Sequence, residues 1–199
     1  MKKSSLLEIS VSDSRNSSIG FTLDRNMGEA LTGTFVDFDA TMLLLEADLS
    51  TAVLKMAIYT DSVKAKDVWL ERRFKGSTCF RVNEYRTITF QSTDWEKISN
   101  NEYLLYGKFC LCGIYKYVVF EITDHGTTMD ADGKTKLLKL EFKGNIKRFD
   151  FNIARGISSW DISEDIELHG IMAFKTEVST ADARHSRIEA DHLFHEGYL

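Results

Sequence analysis

The sequence predicts an all-β domain: an antiparallel sandwich or closed barrel of about eight strands, with a short helix between strands and a C-terminal helical extension. Apolar residues recur at a period of two, polar clusters separate the alternating runs, and two stretches break the pattern. Strict alternation turns one strand face inward and leaves the other solvated. Parallel strands, buried on both faces, would read as continuous apolar runs, so the sheet is antiparallel.

The runs come in order. Ile19, Phe21 and Leu23 alternate with Gly20, Thr22 and Asp24, and Leu54, Met56 and Ile58 with Lys55 and Ala57. Ile88, Phe90 and Ser92 alternate with Thr89 and Gln91, and Leu105, Gly107, Phe109 and Leu111 with Tyr106 and Lys108. Leu138, Leu140, Phe142 and Gly144 alternate with Lys139, Glu141 and Lys143, and Ile166 and Leu168 flank Glu167. Turns are predicted at Ser99-Asn100-Asn101, Asp124-His125-Gly126 and Asp130-Ala131-Asp132-Gly133. Residues 65–75 (AKDVWLERRFK) are charged, rich in helix formers and not alternating, which predicts a short helix. From Ser179 onward a second helix is predicted, with Ser179 or Thr180 as its cap. No linker composition intervenes, so the chain is read as one domain, 1–174, plus an extension, 175–199, helical or partly disordered.

Composition narrows the function. The 199 residues carry 25 Lys+Arg against 30 Asp+Glu, a formal net charge of −5. That excess argues against nucleic acid as partner, since phosphate binding needs a basic face. Phenylalanine numbers 13 and proline is absent, which excludes Pro-rich ligands and linkers. No stretch approaches the ~18 apolar residues of a transmembrane helix. The opening Met1-Lys2-Lys3-Ser4-Ser5-Leu6-Leu7-Glu8 falls short of the roughly 7–15 apolar residues of a secretory leader. The chain as given is therefore expected in the cytoplasm, or in the periplasm if a leader was removed.

Cys79, Cys110 and Cys112 are read as small buried hydrophobes. Three is not a disulfide framework, and the two-residue spacing of Cys110 and Cys112, which places them on one strand face, is not a CxxC motif. Asp130, Asp132 and Glu141 resemble a calcium loop, but glycine stands at its fourth position instead of its sixth. His185, Glu189, His192 and Glu196 share a helix face in a spacing that can hold zinc, and are read instead as a solvated face. His125 and His169 have no partner assignable from sequence. No catalytic residue, metal or cofactor is predicted. The alternating Phe, Leu and Met positions are left as the informative feature. They fit a side-chain-filled core or an apolar lumen that holds one small ligand.

Six blocks run in order from about Asp13 to Phe174. They are Asp13-Ser14-Arg15-Asn16-Ser17-Ser18-Ile19-Gly20-Phe21, Leu31-Thr32-Gly33-Thr34-Phe35-Val36-Asp37-Phe38-Asp39-Ala40, Ile58 to Ser62, Cys79-Phe80 through Tyr85-Arg86-Thr87-Ile88-Thr89-Phe90-Gln91-Ser92, Gly107-Lys108-Phe109-Cys110-Leu111-Cys112-Gly113-Ile114-Tyr115-Lys116, and Gly144-Asn145-Ile146-Lys147-Arg148-Phe149-Asp150-Phe151. Together they resemble the YceI-like family of lipocalin-like, polyisoprenoid-binding barrels. The corresponding family patterns are D-x-x-H-S-x-I-x-F, G-x-F-x-x-F-x-G, I-x-x-x-S, F-F-x-x-x-x-Y-P-x-I-x-F-x-S, G-x-L-x-x-x-G-V-T-K and G-x-I-x-R-x-D-F. The chain departs from them at Asn16 for His, at Ala40 for Gly, at Arg86 and Tyr117 for the two prolines, and at Tyr115 for Thr. The family's R-D-x-H-L is here Leu70-Glu71-Arg72-Arg73-Phe74.

The resemblance implies an eight-stranded lipocalin-like barrel that binds and carries or sequesters a polyisoprenoid, an isoprenoid quinone or a fatty acyl chain. A side-chain-filled interaction module and a lipid-modifying enzyme stand as alternatives, and a homodimer stays open. The expected lining comprises Ile19, Phe21, Phe35, Phe38, Met56, Ile58, Trp69, Phe74, Phe80, Ile88, Phe90, Leu105, Phe109, Leu140 and Phe142. Arg72 and Arg73 are the candidates for an anionic head group, through fixed positive charge. Titration of the denatured, unreduced protein with a thiol reagent is expected to find three free groups; one group would indicate a disulfide and an oxidising compartment.

Overall fold

The computed structural model describes residues 7–12, 14–45, 48–129, 136–156 and 161–177. Among them are β1 (Leu7–Ser12), β2 (Ser18–Leu23), β3 (Leu31–Phe35), β4 (Phe38–Leu45), β5 (Asp48–Tyr59) and β6 (Val63–Ala65). After helix α1 (Val68–Lys75) come β7 (Thr87–Lys97), β8 (Glu102–Leu111), β9 (Ile114–Met129), β10 (Lys136–Lys147) and β11 (Asp165–Glu177).

Eleven segments stand where the sequence predicts eight strands, and the ladder explains the difference. Both β1 and β2 pair with β11; β1 also pairs with β4, and β2 with β3. In the same way β4 pairs with β5, and β3 with β6. Each of these couples is thus one barrel stave broken in two. From β5 the antiparallel ladder runs through β7, β8, β9 and β10 to β11, whose pairing with β1 closes the ring. Among the described residues closure leaves no long unpaired edge to template association.

A broken stave strands backbone N–H groups on its neighbour, and each must find an acceptor. Serine hydroxyls supply it. At the β1/β2 break Ser12 Oγ accepts from the Ala40 amide at 3.0 Å, and Ser17 Oγ from the Ala173 amide at 2.9 Å. At the β3/β4 break the Asp37 amide donates to Ser62 Oγ at 3.1 Å. Beside a bulge in β7, between Ser92 and Asp94, the buried Leu54 amide donates to Ser92 Oγ at 2.8 Å.

Inward phenyl rings lie across glycines of the next stave. Phe21 covers Gly33, Phe90 covers Gly107, Phe120 covers Gly144 and Phe142 covers Gly170. A Cβ on Gly144 would stand 2.6 Å from the Phe120 ring, and one on Gly170 2.6 Å from the Phe142 ring, so only glycine leaves room.

One end of the barrel is sealed by α1. Asp67 caps the helix, its carboxylate accepting from the Leu70 amide at 2.8 Å. Leu70 and Phe74, one turn apart, are buried. Phe74 meets Phe21 at 4.9 Å between centroids, and Phe80 packs on Phe21 and Phe35 at 5.4 Å each. At the same end Arg148 is fully buried; its Nε donates to the Ser163 carbonyl at 3.0 Å, and Nη1 donates to the Ala154 carbonyl. Burial lowers its pKa from the ordinary value, yet a guanidinium stays charged in proteins.

Several expectations change. Asp124-His125-Gly126 lies within β9 and is a bulge, not a turn: the Asp124 carboxylate takes the Gly126 amide at 2.7 Å and the strand continues. Cys112 does not share a strand face with Cys110. It sits beyond β8 in a two-residue hairpin with Gly113, their φ angles being +51° and +73°, as a turn of primed type requires. Cys112 is buried, while Cys79 and Cys110 are only half-buried. The helix begins at Val68 rather than near residue 65, and β11 runs past the 174/175 boundary to Glu177. The turn at Asp130-Ala131-Asp132-Gly133 and the helix from Ser179 onward, with His185, Glu189, His192 and Glu196, lie outside the described residues.

Gly107→Ala is expected to cost about 1–3 kcal/mol by overpacking against Phe90. Ser92→Ala is expected to cost about 1–3 kcal/mol by orphaning the Leu54 amide. Urea unfolding of each checks this against Gly156→Ala, whose Cβ would meet open space.

Candidate functional site

Away from the α1 end the packing opens into a cavity of about 40 Å³, counted as space open to water-molecule centres. By that measure it has room for roughly three waters. Its lining is Leu54 and Met56 of β5, Phe90 and Trp95 of β7, Leu105 of β8, Phe120 and Ile122 of β9, Leu140 and Phe142 of β10, and Met172 and Phe174 of β11. None of these side chains ionises. Edge-on aromatic contacts shape the wall: Phe90–Phe120 at 5.4 Å, Phe120–Phe142 at 5.8 Å and Trp95–Tyr103 at 6.2 Å.

Of the lining expected from sequence, Met56, Phe90, Leu105, Leu140 and Phe142 meet at this cavity. Ile19, Phe21, Phe35, Phe38, Ile58, Phe74, Phe80, Ile88 and Phe109 are buried in the same core but do not border the cavity. Four of these, Phe21, Phe35, Phe74 and Phe80, form the aromatic plug under α1.

Trp69, Arg72 and Arg73 require correction. Trp69 is 64% exposed, and both arginines are exposed. Burial of Leu70 and Phe74 turns Trp69 and Arg73, also four residues apart, outward together, and the Arg73 guanidinium lies 4.9 Å from the Trp69 ring centre. The helix thus closes the barrel with one face and shows its charge to solvent with the other. The two arginines also stand at the plugged end, away from the cavity.

Sequence reasoning missed Leu54, Trp95, Phe120, Ile122, Met172 and Phe174 as lining. Phe120 and Ile122 alternate about Glu121, and Met172 and Phe174 continue the phase of Ile166 and Leu168, so that signal was present. Trp95 is out of phase with Ile88, Phe90 and Ser92. The bulge between Ser92 and Asp94 shifts the strand by one residue and brings it inside.

His125 and His169 do have carboxylate neighbours: His125 Nε2 stands 2.9 Å from Glu141, and His169 Nδ1 3.6 Å from Glu167. Glu141, the last position of the sequence's calcium-like loop, is thus engaged by an imidazole. Among the described residues no group of three or more His, Cys, Asp or Glu is placed to hold a metal ion, and no helix is long and apolar enough to cross a membrane. Burial, with Cys112 beside it, pushes the Cys79 thiol up to about 12. Cys79 therefore stays protonated and unreactive near neutral pH.

Comparison with known proteins gives one picture. The model of the YceI-like domain matches residues 11–174. A protein YceI of Salmonella arizonae is 30% identical over 138 residues, 69% of this chain and 70% of that protein. A UPF0312 protein of Yersinia pestis is 28% identical over the same shares. Among solved structures, BcnA of Burkholderia cenocepacia has a TM-score of 0.70 at 19% identity, covering 81% of this chain and 98% of its own. A polyisoprenoid-binding domain from Saccharophagus degradans, implicated in plant cell wall breakdown, has a TM-score of 0.61 at 13% identity, covering 85% and 98%.

The triple variant Trp69→Ala, Arg72→Ala, Arg73→Ala is expected to leave occupancy of the cavity by an apolar fluorescent dye unchanged. Loss of dye binding with the fold intact, by circular dichroism, would return these residues to the site.

Proposed function

Since the chain belongs to the YceI-like domain family, we propose that it binds a long apolar molecule inside its barrel and carries or sequesters it without chemical change. The observation that carries this reading is an apolar void in the interior of the barrel, away from the α1 end. Protein interiors are packed about as densely as organic crystals and hold few voids larger than a water molecule. Here the void is walled by eleven side chains without one ionisable group, which suits holding a hydrocarbon and gives no acid, base or nucleophile for acting on it. The likeness to a polyisoprenoid-binding domain supports the same class of ligand. A polyisoprenoid, an isoprenoid quinone and a fatty acyl chain all belong to it.

The mechanism is burial. Each CH₂ withdrawn from water contributes about 0.8 kcal/mol. A twenty-carbon chain therefore offers more than about ten kcal/mol gross, against the cost of ordering chain and side chains. The cavity is smaller than such a chain, so entry requires the wall to move. Met56 and Phe142 are half-buried, and methionine is the side chain that repacks most readily. The dense aromatic plug under α1 favours a second reading, a filled barrel that acts as an interaction module.

Mass spectrometry of an organic extract of the natively purified protein is expected to find a long-chain lipid, and the delipidated protein is expected to take it up again. Leu140→Trp fills the cavity. It is expected to cut uptake while costing the delipidated protein less than the ~1–3 kcal/mol typical of overpacking a solid core. Strong destabilisation with unchanged uptake would favour the filled barrel. Delipidation matters, because retained ligand stabilises the native state by mass action.

A further inference from the structure

We infer that the outer face of α1 docks on the surface of an anionic lipid bilayer, with Arg72, Arg73 and Lys75 against the phosphates and Val68 and Trp69 among the headgroups. Such docking goes beyond the binding function proposed above and does not depend on what the cavity holds.

Helix α1 turns Leu70 and Phe74 into the barrel. Its other side leaves Val68 and Trp69 each 64% exposed. Val68 and Arg72 are four residues apart, as are Trp69 and Arg73, so each of these apolar side chains stands one turn from an arginine. Met27, 84% exposed, lies in the β2–β3 loop, which the Glu29–Lys66 ion pair at 2.7 Å holds to the segment leading into the helix. Tryptophan is a residue that folding ordinarily covers. Beside arginine and lysine on the outer face of a helix, it has the composition of an interfacial anchor.

Charge complementarity selects the partner. Residues 64–75 hold five basic side chains and two acidic ones, in a chain whose formal net charge is −5. Both acids are engaged: the Asp67 carboxylate accepts from the Leu70 amide at 2.8 Å, and Glu71 pairs with Lys64 at 3.5 Å. Lys66 is taken by Glu29. Arg72, Arg73 and Lys75 form no ion pair among the described residues, so their charge is open to an anion from outside. A nucleic acid would run on from this face over an acidic remainder, whereas a bilayer touches one end of the barrel only. Exposed carbon beside exposed cations suits a headgroup layer, which accommodates both.

The test is co-sedimentation of the full-length protein with vesicles of phosphatidylcholine alone, and of phosphatidylcholine and phosphatidylglycerol in equal parts. A protein of net negative charge is otherwise repelled by the second kind. It is nonetheless expected to bind them about tenfold or more above the neutral vesicles, and to be released at about 1 M salt, where the Debye length falls to ~3 Å. Arg72→Ala with Arg73→Ala is expected to weaken this binding about tenfold or more. The blue shift of tryptophan emission on binding is expected to be lost in Trp69→Ala. The control is Lys97→Ala with Lys136→Ala, which removes the same charge from exposed positions of β7 and β10 at the other end of the barrel; it is expected to change binding by less than about twofold, as distant exposed charges are screened. An equal loss in the control would overturn α1 as the docking face. Equal binding of the wild type to both vesicles, or to neither, would overturn the inference without any variant. Binding of a single-stranded DNA oligomer in place of vesicles would assign the face to nucleic acid instead. Dye occupancy of the cavity, followed in the same variants, keeps a failure of docking distinct from a failure of the proposed function.

Discussion

The barrel depends on phenyl rings packed against glycines. Inward side chains of an eight-stave barrel compete for a narrow interior. Large rings from adjacent strands can share it only if some wall positions carry no side chain at all. Gly33, Gly107, Gly144 and Gly170 are those positions, beneath Phe21, Phe90, Phe120 and Phe142. The pairing pins register too, because a one-residue slip would turn each ring to solvent and set a bulky residue beneath it. The edge-on chain from Phe90 through Phe120 to Phe142 follows from it, and so does the shape of the cavity those three rings help to wall.

The serines of the family-like blocks take on a structural meaning. Ser17, Ser62 and Ser92 recur in the motifs as polar residues next to apolar strands, a position that invites a ligand-binding interpretation. In the structure each accepts a backbone amide where a stave breaks or bulges. The breaks themselves let long staves bend around a closed ring. Arg148 acts in the same spirit at the helix end, spending its donors on carbonyls of the 154–163 connection. The polar residues that survive in the motifs thus preserve the ladder, and the cavity is left to apolar side-chain surface.

The two ends of the barrel differ in kind. Under α1 the rings of Phe21, Phe35, Phe74 and Phe80 fill the interior. Toward the other end leucines, an isoleucine and the methionines Met56 and Met172 stand among the rings of the cavity wall, and methionine is the side chain that repacks most readily. The filled end supplies rigidity, and the cavity lies away from it. Charge at the helix end, where Arg73 lies over Trp69, belongs to the outer surface and leaves the cavity neutral.

Local chemistry written along the chain determined much of this protein. Period-two alternation set the strands, their antiparallel sense and the inward faces. The turn residues Ser99-Asn100-Asn101 set one hairpin, and the Asp67 cap with Leu70 and Phe74 set the short helix; each is a property of neighbours in sequence. Three things were decided only by tertiary structure. Strand breaks and bulges depend on what the neighbouring stave offers as acceptor, so Asp124-His125-Gly126 reads as a turn and becomes a bulge. A bulge changes inside for outside, so Trp95 could not be assigned to the lumen by counting in twos. Which of many inward apolar residues border empty space depends on how rings from distant strands meet: Phe35 and Phe90 have the same local signature, yet one lies in a plug and the other on a cavity wall. Alternation reports a face, whereas a cavity is a residual volume left by all the faces together.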